Sequence, residues 1–195
     1  MEIQIINEQQ TPSLAFLDKP ESFGKDNKEL IEKMFDFIQY RSAVGLAANQ
    51  VSIDGERCLQ RFFIEKNPKT DKWSVVINPK ITERIGMTDF RLEGCLTWPG
   101  YEIACQRYRR IKVVYYTIDG EYKEETITKF RAHIWQHEIN HLDGVEEKVE
   151  KTNTTQVTPW NFQRNDICPC GSEKKYKVCC QPFEPELGGL YRIRK

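Results

Sequence analysis

The chain has 195 residues, 29 Lys and Arg against 29 Asp and Glu, and 39% hydrophobic residues. That is enough apolar material for one proper core with a small appendage. The interspersed charges exclude a molecule that binds nucleic acid through its overall field, and no sequence-specific DNA binding is expected.

No apolar run suggests a membrane span, and the opening MEIQIINEQQ is too polar for a secretion signal. The expected location is therefore the cytoplasm, with no membrane partner. In that reducing setting the seven cysteines are better read as thiols or metal ligands than as disulfides. Four of them, Cys168, Cys170, Cys179 and Cys180, crowd together near the end, while Cys58, Cys95 and Cys105 are scattered.

The first expected element is a helix over 26–42, opened by a capping-box-like Asp26 and Glu29. Leu30, Ile31, Met34, Phe35 and Ile38 give it an apolar stripe. It runs into 43-AVGLAANQ-50, small residues that allow a close backbone approach. Strand-like runs follow at 58–64, 74–78, 111–118 and 122–130, with an Asp-Gly hairpin signal between the last two. A second helix is expected from near Thr128 to near Gly144, carrying 132-AHIWQHEINH-141. Strands with segregated helices point to an α+β fold, with antiparallel sheets around a central helix that bears HEINH. There is no internal repeat.

HEINH fits the pattern HExxH. On a helix, residues four apart share a face, so His137 and His141 can bind one metal ion. Glu138 then stands where it can take a proton from water. Two histidines do not complete a catalytic site, and the residues leave two routes to a third ligand. Downstream, HEINHLDGVEE nearly matches HExxHxxGxxH of metzincin proteases, with Gly144 in place and Glu147 where the last histidine would be. Upstream, Cys95 in 93-EGCLTWPG-100 offers a soft thiolate.

Three segments in order, 45-GLAANQ-50, 93-EGCLT-97 and 136-QHEINHLDG-144, resemble the three motifs of peptide deformylases. The stretches 77-INPKIT-82 and 107-RYRRIKVVYYTIDG-120 are similar to that family as well, so the likeness covers roughly residues 1–150. The resemblance implies hydrolysis of the formyl group from N-formylmethionyl chains. It makes Cys95, His137 and His141 the ligands of a divalent metal, Fe²⁺ by family likeness, with Zn²⁺, Ni²⁺ or Co²⁺ compatible with the same donors. It also makes Glu138 the general base and acid, with Gln50 and the backbone N–H of Leu96 facing the oxyanion. Gly45 would offer backbone hydrogen bonds to an extended substrate, and Val44, Phe130, His133 and Ile134 would shape its first side-chain pocket.

Three positions depart from the family pattern. Ala43 replaces a glycine, Asn140 stands where aspartate is usual, and His133 enters a region the family lines with apolar residues. The residues taken alone also admit a core or rim role for His133.

After 145-VEEKVEKTNTTQVTP-159 the chain changes character. The expected organisation is a catalytic domain over 1–150, a linker over 151–160, a knuckle over 161–182 and a basic tail over 183–195. The segment 165-NDICPCGSEKKYKVCC-180 resembles the SEC-C motif, and Cys168, Cys170, Cys179 and Cys180 can enclose one structural Zn²⁺. From 161 onward there are seven Lys or Arg against four Asp or Glu. One reading makes this module a tether to the ribosome, and the other a staple that only steadies the C-terminus. Against the deformylase stand two rival functions, a metzincin-like endopeptidase using Glu147 and a weakened binding protein that works through its tail.

Overall fold

A computed structural model describes residues 2–6, 20–39, 41, 43–97 and 102–145, together with Asn165 and Lys175. The elements in chain order are β1 (Ile3–Ile5), α1 (Pro20–Asp26), α2 (Lys28–Gln39), β2 (Gly45–Ala47), a 3₁₀ turn (Ala48–Gln50), β3 (Val51–Ile53) and β4 (Glu56–Arg57). Then follow β5 (Phe62–Lys66), β6 (Trp73–Gly94), β7 (Glu102–Tyr116), β8 (Tyr122–Thr128) and α3 (Lys129–Leu142). The strands form two antiparallel sheets, a small one ordered β1-β3-β4 and a larger one ordered β2-β5-β6-β7-β8. Few helices accompany them.

Strand alternation divides the larger sheet between two apolar clusters. Leu46, Phe62, Ile64, Val75 and Ile77 face α2, whose Leu30, Ile31, Met34 and Ile38 are all buried. Ala47, Phe63, Val76, Ile111, Val113 and Ile127 face α3 through Ala132, Trp135, Ile139 and Leu142. Those four helix positions recur at helical spacing. They occupy one face of α3 and leave His133, His137 and His141 to another.

Helix α3 is held at both its side and its end. Gln136 donates from its amide to the carbonyl of Tyr108 at 2.8 Å and accepts from the Tyr108 N–H at 3.0 Å, so its side chain closes the hydrogen bonds of β7. Arg61 donates to the carbonyl of Leu142 and pairs with Asp143 at 2.7 Å, and Asn49 donates to the carbonyl of His141. Gly144, at a φ of 65°, ends the helix in the left-handed conformation expected there.

Three sequence expectations need correction. The first helix does not run from 26 to 42: α1 ends at Asp26, α2 begins at Lys28, and Asn27 turns between them, donating to the carbonyl of Phe23. Asp26 is thus the end of one helix rather than the cap of the next, and it accepts a hydrogen bond from Ser22 at 2.7 Å. The run at 58–64 becomes a strand only from Phe62, and it continues to Lys66. The runs at 74–78 and 111–118 are fragments of much longer strands, which pair as one ribbon along Ile77–Gly94 and Glu102–Tyr116 with three register shifts.

Candidate metal centre

Three elements bring the site together. Cys95 directly follows the end of β6, His137 and His141 sit one turn apart on α3, and Gln50 closes the 3₁₀ turn after β2. The Cys95 sulfur lies 3.3 Å from His141 Nε2, the two Nε2 atoms are 3.1 Å apart, and all three donors lie within 4.8 Å of one another. All three side chains are buried.

These residues fit a divalent ion. Around a tetrahedral ion with ordinary bond lengths, two nitrogen ligands stand about 3.3 Å apart and a sulfur and a nitrogen about 3.6 Å. The observed separations are close to those values. His137 points its Nδ1 at Glu93 Oε2, 2.9 Å away, which leaves Nε2 turned toward the other two donors. Charge agrees with geometry. Burial works against a proton on His137, yet the thiol of Cys95 and the carboxylate of Glu93 raise its pKa to about 10. Such a position favours a cation. His141, buried beside His137, is held well below the usual imidazole range.

Glu138 lies beside this group. Burial pushes its carboxyl up to about 7, with the charge of Glu93 adding to the rise and that of His137 opposing it. Its Oε2 has no hydrogen-bond partner among the described residues. Its other oxygen packs on Gly45, where a Cβ would come 2.8 Å from the carboxyl carbon. A carboxyl group that titrates near neutrality and is not fully hydrogen-bonded is suited to proton transfer.

Gln50 is fixed through both ends of its amide. Its oxygen accepts from the Ala47 N–H at 2.8 Å, and its nitrogen donates to Thr97 Oγ1 at 3.1 Å and to the Cys95 sulfur at 3.6 Å. Leu96 is the residue next to Cys95 and is partly buried against the α2 side of the core.

Among the residues expected at a substrate pocket, Gly45 touches Glu138, and Val44 accepts the Lys66 N–H through its carbonyl at 2.8 Å. Phe130 and Ile134 are buried at positions eight and four before Glu138, on the same strip of α3. His133 is also buried, with its two ring nitrogens toward Glu93 at 3.7 Å and Asp89 at 3.8 Å. Asn140 uses its backbone carbonyl to accept the Val145 N–H. Ala43 is absent from the positive-φ positions, so the missing glycine costs nothing there. Glu147 and the cysteines Cys168, Cys170, Cys179 and Cys180 lie outside the described residues.

Three residues to which the sequence assigned no role of their own meet at the centre: Glu93 and Thr97, inside the motif 93-EGCLT-97, and Arg107. Glu93 accepts from Arg107 through two nitrogens, at 3.1 and 2.8 Å, while also meeting His137. Burial opposes its ionisation, but the nearby imidazole of His133, the hydrogen bond to His137 and the charge of Arg107 hold its carboxyl far below the ordinary range. The signal was the spacing itself: Glu93 stands two residues before Cys95, on the strand that delivers the thiol.

A thiol and two imidazoles on an HExxH helix, with an acid beside them, define the site of a metal-dependent hydrolase. Residues 6–153 match the sequence model of the family described as polypeptide deformylase, and residues 164–182 match the SEC-C motif. The chain belongs to the polypeptide deformylase family. It is 39% identical over 135 residues to the peptide deformylase of Thermotoga sp. strain RQ2, covering 69% of this chain and 78% of that one. The crystal structure of the Thermotoga maritima peptide deformylase superposes with a TM-score of 0.59 at 33% identity, over 74% of this chain and 94% of that one. A class I type b enzyme from Acinetobacter baumannii, solved with Met-Ala-Ser bound, gives a TM-score of 0.64 at 28% identity, over 74% and 94% of the two chains. No helix among the described residues is long and apolar enough to cross a membrane.

Proposed function

We infer that this chain hydrolyses the formyl group from N-formylmethionyl polypeptides and releases formate, and that Cys95, His137 and His141 hold the divalent metal it needs. The observation that carries the assignment is the convergence of those three donors beside Glu138. Fe²⁺ is the ion assigned by family, and Zn²⁺, Ni²⁺ or Co²⁺ suits the same donor set. When bound, such an ion supplies Lewis acidity, which activates water and polarises the formyl carbonyl.

The chain's own groups do the rest. Glu138 takes the proton from the attacking water and gives it to the departing amine, a task for which a pKa of about 7 is well placed. The Gln50 amide and the Leu96 N–H are the donors to the developing oxyanion, and losing such a donor typically costs about 10²–10³ in rate. Gln50 is already oriented for this by Ala47 and Thr97. Val44, Gly45, Phe130, His133 and Ile134 border the first residue of the substrate, with Gly45 also binding its backbone. The Met-Ala-Ser bound to the Acinetobacter enzyme has the form of a deformylated product and supports this substrate class.

In this reading α3 is the central helix of a catalytic domain over 1–150. A linker over 151–160 joins it to a zinc knuckle over 161–182, closed by Cys168, Cys170, Cys179 and Cys180, and a basic tail over 183–195. The match to the SEC-C motif supports the knuckle. A tether to the ribosome in the cytoplasm, where formylated chains are made, would raise the local concentration of substrate.

Formate release from a short formyl-Met peptide tests the assignment. Wild type should be active, and Cys95→Ala and Glu138→Ala should both lose that activity. Full activity in either variant would overturn the roles given to those residues.

A further inference from the structure

The ribbon of β6 and β7 turns a charged face toward α3. Asp89, Arg91 and Glu93 alternate along β6, and Cys105, Arg107 and Arg109 alternate opposite them on β7, with Asp89 in register with Arg107 and Arg91 with Cys105. All but Arg109 are buried, a costly arrangement unless each charge is answered. Arg109 Nε lies 3.0 Å from Asp89 Oδ2, and an Arg91 nitrogen lies 3.5 Å from the same oxygen. His133, one helical turn before His137, enters between the two carboxylates of β6. Its Nδ1 is 3.7 Å from Glu93 Oε1 and its Nε2 is 3.8 Å from Asp89 Oδ2.

We propose that Asp89 and His133 are positioning residues of the metal centre, holding the Glu93 carboxylate under His137 and so setting how tightly the metal is kept. This rests on reading Cys95, His137 and His141 as the ligands. The separations explain the division of labour. Glu93 uses Oε2 for His137 and Arg107, and Oε1 for Arg107 on the side that faces His133. The imidazole of His133 lies within ion-pair range of both carboxylates but in direct hydrogen bond with neither, and neither of its nitrogens has another partner among the described residues. Asp89 therefore decides where that ring rests. With Asp89 charged and fixed by Arg109, the ring is balanced between the strand's two acids, and Glu93 keeps its short contact with His137. With that charge removed, the ring moves toward Glu93 and competes for it. Asp89 is well equipped to stay charged: burial opposes ionisation, but His133, Arg109 and Arg91 outweigh it. A leucine at 133 would remove the competitor but also the imidazole that lies beside both acids, leaving Glu93 with one neighbour on α3, His137, in place of two.

The test is the rate at which the metal-loaded full-length protein surrenders to a chelator the ion held by Cys95, His137 and His141, taken as the release seen beyond that of a Cys95→Ala control, which keeps only an ion on the four C-terminal cysteines. Partners behind a ligand typically account for about 10- to 100-fold in metal affinity. Glu93→Gln should fall in that range, with Asp89→Asn and His133→Leu near its lower end. Because Asp89 acts through Glu93, the double variant Asp89→Asn/Glu93→Gln should release metal no faster than Glu93→Gln alone. With Co²⁺ loaded, the thiolate-to-metal absorption should shift in Asp89→Asn although Asp89 is no ligand. A simple packing role would lower the melting temperature and leave that band in place. Should Asp89→Asn fail to fold, Arg109→Met at the more exposed end of the pair is read in the same way. Release at the wild-type rate in both single variants would overturn the proposal, as would an undiminished Asp89 effect in the Glu93→Gln background. A wild-type chain that takes up no more metal than Cys95→Ala would overturn the ligand assignment, and with it the role of Asp89 and His133.

Discussion

A methyl group on Gly45 would sit 2.8 Å from the carboxyl carbon of Glu138. The easier of the two to move is the side chain, because the backbone of Gly45 is fixed opposite Glu65 in the sheet. Gly45→Ala is therefore expected to turn the Glu138 carboxylate away from the metal donors while leaving those donors untouched. A displacement of about 1 Å at a reacting group can lower turnover about 10²-fold. Deformylation assayed beside metal content should show a loss of that order with a full complement of metal, and unchanged turnover would refute the role of the contact. The sequence disclosed Gly45 and Glu138 as members of two separate motifs. It did not disclose that one exists to leave room for the other. The same limit hid what Glu93 does: its place two residues before Cys95 is plain in the sequence, but its hydrogen bond to His137 crosses 44 positions of chain.

Among the elements, α3 was the most legible, because its apolar spacing, its metal pattern and its terminal glycine agree. The β6–β7 ribbon was the least. Its inward positions carry Asp89, Arg91, Glu93, Cys105 and Arg107, all buried, so the alternation that marks a half-buried strand is broken where the strand is closest to the site. Helix α1 was missed because it is short and holds Gly24 mid-way, where a Cβ would meet the side chain of Ile118 at 2.7 Å. Two predictions belong at this scale. Gln136→Leu removes both hydrogen bonds to the backbone of Tyr108, leaving polar groups of β7 without them, a cost of about 1–3 kcal/mol for a buried group. Urea unfolding should register that loss, and an unchanged midpoint would mean that Gln136 does not anchor the helix. The second concerns acid. Asp89 titrates below its ordinary value in the folded chain, so its contribution to stability is present above a pH of about 3.9 and fades as pH falls through the folded value. Wild type and Asp89→Asn should differ in urea midpoint at neutral pH and converge in acid. A gap that stays constant down to the acid limb would show that the carboxylate's charge is not what stabilises the ribbon.

For the molecule as a whole, the question is how far the two matched segments, 6–153 and 164–182, depend on each other. Every residue gathered at the centre, from Gly45 to His141, falls within the first segment, and the main contacts that hold α3 come from β2, the 3₁₀ turn, β5, β7 and β8. Among the described residues, that set is drawn from positions before Gly144. A chain ended after Lys151 should therefore hydrolyse a short formyl-Met peptide with the kcat and KM of the full protein, and its metal content should fall from two ions per chain to one. The two readouts separate the possibilities. A loss of turnover would mean that the tail completes the active site, whereas unchanged metal content would mean that the four terminal cysteines bind none. If both expectations hold, whatever the tail contributes must act on where the enzyme meets its substrate. Co-sedimentation of the full and shortened chains with ribosomes then addresses that contribution directly, and equal amounts in the pellet would remove the tether and leave the knuckle a local staple.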